Sequence, residues 1–71
     1  MDPNATWKDL CIAIMAEDWE ATWELTSNLN TWIWKGGFFD KREELQSITD
    51  CLSSTDHLQG EMKEVARKYA P

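Results

Sequence analysis

Residues 19–35 carry four of the five tryptophans of a 71-residue chain, and that crowding constrains the fold more than any other feature. On a helical wheel the polar residues Glu20, Glu24, Ser27, Asn28, Thr31 and Lys35 gather within about 100°, while Trp19, Ala21, Trp23, Leu25, Leu29, Trp32, Ile33 and Trp34 spread over about 220°. A helix docked on one side needs a much narrower apolar arc. The segment is therefore either contacted from two sides or shows part of its indole-bearing flank to another molecule. No stretch of the chain has the strict alternation of a half-buried strand.

The boundaries of this helix are written in the sequence. Asp18 is an N-cap candidate with Glu17 and Glu20 beside it at the positive end of the helix dipole. Gly36 and Gly37 stop the helix because glycine reaches the left-handed C-terminal geometry without a side-chain clash. Upstream, Asp2-Pro3 opens a first helix over about 2–16, with Trp7, Leu10, Cys11, Ile14 and Met15 on one arc and Ile12 and Ala16 forming a second, smaller apolar spot. Downstream, Asp40 and Glu43 make a capping-box pattern for a helix over about 41–53. Its stripe is Leu45, Ile48, Cys51 and Leu52, with Arg42, Gln46, Thr49, Asp50 and Ser53 facing away. Asp56 with Gln59 repeats the capping signal for a helix over about 57–69 striped by Leu58, Met62, Val65, Ala66 and Tyr69.

Linkers this short favour antiparallel neighbours. The expected fold is all-α, a small helical bundle of four short helices in one domain over 1–71. It consists of two antiparallel hairpins, 2–37 and 40–70, joined through Phe38 and Phe39.

The net charge of −6 excludes a basic grip on nucleic-acid phosphates. The longest uncharged apolar run, 10–16, is too short to cross a bilayer and has no basic flank of a signal peptide, so the expectation is a soluble, cytoplasmic protein with Cys11 and Cys51 reduced. Chemistry is sparse. Cys51 and the single histidine, His57, lie six residues apart without a group to orient the base, and Cys11, Cys51 and His57 lack the paired spacing of a zinc site. No catalytic residue, metal or cofactor is expected.

Binding is the better reading. Trp7, Trp19 and Trp23 face inward on the wheels and are expected in the core. Trp32 and Trp34 stand on opposite borders of the apolar arc, so one neighbouring helix cannot cover both. With Phe38 and Phe39 they form the expected contact surface, and Glu17, Asp18, Glu20 and Glu24 would steer a basic patch toward it. Self-association through the same aromatic surface is a close variant. An acidic decoy occupying the nucleic-acid groove of a defence enzyme is the alternative.

The run Asp2-Pro3-Asn4-Ala5-Thr6, the acidic two-helix hairpin and the exit Trp34-Lys35-Gly36-Gly37-Phe38 resemble a group of very small uncharacterised proteins of bacteriophage genomes and environmental bacteria. The resemblance covers about residues 2–39. In that group proline tends to follow the Gly-Gly-aromatic exit, whereas this chain continues with Asp40 and a second hairpin. The resemblance implies a setting, that of a phage or mobile-element accessory protein, and no activity. In that setting the partner expected at the aromatic surface is a host or viral protein.

Overall fold

The computed structural model describes residues 2–54 and 59–70. Four helices follow in order: α1 (Pro3–Met15), α2 (Trp19–Trp34), α3 (Arg42–Ser53) and α4 (Gln59–Tyr69). There is no strand among the described residues. Helix α1 packs against α2 and α4, and α3 against α4 and α2, which closes a ring with α1 across from α3. The all-α architecture of a small bundle is therefore as expected. The Asp56 cap and the Leu58 end of the fourth stripe lie outside the described residues, as does His57.

The anticipated caps hold helices α1 and α2. Asp2 Oδ1 accepts from the Asn4 and Ala5 amides at 3.0 and 3.4 Å, and Asp18 Oδ1 from the Ala21 amide at 3.2 Å. At the far end of α2 the Gly36 amide donates to Ile33 and the Gly37 amide to Trp32, both at 3.0 Å, with Gly36 at φ 95°. This is a Schellman motif. Helix α1 ends in the same way without a glycine. Glu17 takes the left-handed position at φ 57°, its amide donates to Ile14 at 3.0 Å and that of Asp18 to Ala13 at 2.9 Å. Asp18 thus closes one helix and opens the next, which makes the α1–α2 joint very short.

Helix α3 starts differently. Its N-cap is Lys41, which makes no side-chain capping bond, so the expected capping box of Asp40 is not formed. Asp40 instead stands 3.6 Å from Lys41 Nζ. Burial of Phe39, 2 % exposed, sets the chain path here. Its ring centroid lies 5.7 Å from that of Trp7, which meets Tyr69 edge-on at 5.5 Å. Lys41 Nζ lies 5.8 and 5.7 Å from the Phe39 and Tyr69 centroids. The lysine charge is thereby placed against two aromatic rings as well as the Asp40 carboxylate. The Tyr69 hydroxyl donates to Glu44 Oε1 at 3.1 Å and ties the end of α4 to the start of α3.

The core comprises Trp7, Leu10, Cys11, Ile14, Leu29, Phe39, Leu45, Ile48, Cys51, Met62 and Ala66, with Trp19, Leu25, Trp32, Val65 and Tyr69 among those packed partly against it. Two placements outside α2 depart from the wheels. Met15, expected inside, is 40 % exposed beside Ile12, while Ala13 is buried. Thr49, expected to face away, donates to the Leu45 carbonyl at 2.8 Å and accepts from Asn30 Nδ2 at 3.0 Å, so a hydrogen bond joins α2 to α3.

Candidate functional site

Helix α2 turns a side to the core that contains few tryptophans. Its fully buried residues are Thr22, Thr26 and Leu29. Small side chains on the buried face let neighbouring helix backbones come close, and the bulkier indoles are displaced to the flanks. Trp19 and Trp32 are half-buried there and pack on the core. Trp23 and Trp34 are 56 % and 88 % exposed. The inward placement expected for Trp23 is thereby corrected, whereas Trp7 and Trp19 stand where the wheels put them.

Trp23 and Trp34 belong to one face. Eleven residues make three turns, so the two positions differ by about 20° around the axis and about 16 Å along it. Ser27 and Asn30 fill the same strip between them. Just past the helix Phe38 adds a ring 80 % exposed. The consecutive phenylalanines separate. Phe39 is enclosed by the aromatic cluster and does not contribute to any exposed surface, so it leaves the expected contact set. Trp32 leaves the set as well: it lies about 180° around the axis from Trp23, is half-buried against the core, and its ring occupies the space an added Cβ at Gly37 would take.

The four acidic residues also divide. Asp18 is consumed as the α2 cap, and Glu17 Oε1 pairs with Lys63 Nζ at 3.2 Å. Glu20 and Glu24 remain exposed on α2, about 60° and 100° around the axis from Trp23. Lys35 lies on the same flank at the other end of the helix, beside Trp34. The resulting face has an acidic end and a basic end, each next to an indole. The spacing of Trp23 and Trp34 signals this face in the sequence, although amphipathic reading assigns both indoles by their greasiness and misses it.

The thiols lead elsewhere. Cys11 and Cys51 are both buried and unpaired with each other. Cys51 lines a groove of about 380 Å³ between α3 and α4 with Ser47, Glu61 and Lys68, and its Sγ donates to Glu61 Oε2 at 3.8 Å. Burial first, then the Glu61 charge and hydrogen bond and the Asp50 charge, push this thiol up from its ordinary value. A carboxylate partner holds the sulfur protonated, the opposite of what a nucleophile needs. The Cys51–His57 pairing cannot be placed, because His57 lies outside the described residues. Among the described residues no group of three His, Cys, Asp or Glu side chains is arranged to hold a metal, and no helix is long and apolar enough to cross a membrane.

Burial pushes the Cys11 thiol up from 9.0 to about 11, the Lys41 charge opposing it. Well below pH 9 the thiol is protonated in folded and unfolded chains alike. Between pH 9 and about 11 the unfolded chain loses its proton first, so stability falls by up to about 1.4 kcal/mol per pH unit. The raised Cys51 and Tyr69 values act in the same direction. Urea midpoints measured across this range should decline, and less steeply for Cys11→Ala. A midpoint that stays level to pH 11, or an equal decline in the variant, contradicts this reading of Cys11.

No protein family, curated protein or solved structure matches the chain.

Proposed function

We propose that this chain is a non-enzymatic protein-binding module whose docking face is the exposed side of α2, with Trp23 and Trp34 as anchors, Phe38 at the rim and Glu20 and Glu24 along the flank. The observation that carries this reading is the exposure of Trp34 at 88 % and Trp23 at 56 % on one side of a single helix. Indoles left in water forgo burial that each could supply, on the order of 150–250 Å². Tryptophan is enriched among the few residues that dominate binding at interfaces. Nucleic-acid stacking would require lysine and arginine interleaved with the rings, and the residues between these indoles include Glu24, Ser27 and Asn30 but no cation.

Capture of partners from lysate of the source cell, with the parent chain and a Trp23→Ser, Trp34→Ser double variant as baits, tests the reading. The variant should keep its helical circular dichroism, since exposed substitutions change stability by about 0.5 kcal/mol or less each. It should lose the partner. Capture that is undiminished in the folded variant rejects the aromatic face. If that capture also dissolves at moderate salt, the acidic decoy takes its place.

A further inference from the structure

We infer that the occupant of the α2 face is a second copy of this chain, laid antiparallel along it about a two-fold axis. The inference rests on the docking face proposed above and names what covers it.

The strip on α2 is symmetric end to end. Positions 23, 27, 30 and 34 follow intervals of four, three and four, a sequence that reads the same in both directions. A two-fold interface must be self-complementary, each residue i meeting j while j meets i. With the axis midway along this strip, Trp23 of one copy faces Trp34 of the other, and Ser27 faces Asn30. Both indole pairs form at once, and small polar residues occupy the crossover between them.

The charges favour the same arrangement. Rotation about such an axis keeps the flank bearing Glu20, Glu24 and Lys35 on one side of the pair. The acidic end of one helix then runs beside the basic end of the other, bringing Glu20 toward Lys35 of the second copy. A parallel two-fold pair would carry this flank to opposite sides of the two copies, so that Glu20 and Lys35 would not meet across it. The net charge of −6 opposes association at long range, but it is screened beyond about 8 Å at physiological salt.

The area is sufficient as well. The exposed portions of Trp23, Trp34 and Phe38 amount to roughly 350–550 Å² per copy. Two copies, with the flanking Glu20, Glu24, Thr31 and Lys35 side chains, reach the region of 1,000 Å² or more in which specific interfaces lie. The other border of the strip is already held by α3 through Asn30 and Thr49, so the second helix lies along the open flank.

Sedimentation velocity of the full chain between about 1 and 300 µM tests the pairing. A species of twice the 8.3 kDa chain mass is expected to form within this range. Trp34→Ser should weaken it at least about tenfold. Glu20→Lys and Lys35→Glu should each weaken it about two- to fivefold, and the double variant should recover. Circular dichroism confirms that each variant is folded, and failure of the double variant to recover overturns the antiparallel arrangement. A dimer indifferent to Trp34→Ser, or a chain that sediments at 8.3 kDa throughout, overturns the second copy as occupant. In the monomeric case the docking face itself stands if capture of another protein still requires Trp23 and Trp34, and falls if it does not.

Discussion

Phe39→Ala should cost about 3–5 kcal/mol and Phe38→Ala less than about 0.5 kcal/mol, although the two rings are consecutive in the chain. Phe39 is 2 % exposed and packs against Trp7, while Phe38 is 80 % exposed. Removing the Phe39 ring forfeits its burial and opens a cavity under Trp7, Tyr69 and Lys41 that the short link between α2 and α3 is poorly placed to refill. A domain of this size has only a few kcal/mol of stability to lose, so Phe39→Ala should be largely unfolded at 37 °C. Phe38→Ala should melt like the parent and show its effect only in binding. Chemical denaturation followed by circular dichroism separates the two. Comparable losses for both variants would mean that the link does not run as described.

Gly37→Ala should be the second most damaging of the changes considered, at about 1–3 kcal/mol. A methyl group there would stand 2.6 Å from Cε2 of Trp32 and closer still to Cδ2 and Cε3. Neither side yields easily. The Trp32 ring packs on the core, and the Gly37 amide is held by the Trp32 carbonyl at 3.0 Å. Gly36→Ala differs in kind: the space around it is open, and its cost of about 1–2 kcal/mol comes from a side chain at φ 95°. The Gly37 change should also alter Trp32 emission, which the Gly36 change should leave alone. A Gly37→Ala protein as stable as the parent, with unchanged emission, would show that Trp32 does not lie over this glycine. The turn at this glycine is followed by Phe38 directed outward and Phe39 directed inward.

The elements were legible because their signals are local. Asp2, Asp18 and the Gly36-Gly37 pair act within a turn of where they sit, and the stripes of α3 and α4 repeat at helical spacing with few competing apolar residues. Glu17 was not legible as a helix terminus, since left-handed backbone is normally marked by glycine and here the capping geometry of Asp18 imposes it on a glutamate. Asp40 mimicked a cap, but insertion of Phe39 into the core fixed the start of α3 one residue later.

The candidate site was legible in outline only. That α2 carries more apolar circumference than its neighbours cover follows from its wheel, and Trp34 is exposed as that argument requires. Which indoles remain outside does not follow from the wheel. Hydrophobicity ranks tryptophan above threonine for burial, yet close approach between helices selects Thr22 and Thr26 for the inner face and moves Trp23 out. Thr49 gave no signal either, because its partner Asn30 is nineteen residues away. Within the acidic cluster the sequence marked Asp18 as a cap, but only the folded chain separates Glu17, which pairs with Lys63, from the exposed Glu20 and Glu24.

The docking face requires that the folded protomer leave two indoles of α2 uncovered. Residue-resolved oxidative footprinting in dilute solution, where any association has been lost, measures this directly. Trp34 should label fastest, Trp23 next and Trp7 slowest, in the order of their exposures of 88, 56 and 3 %. Labelling of Trp23 and Trp34 as slow as that of Trp7 in the isolated protomer would mean that both indoles are covered and that α2 offers no docking face.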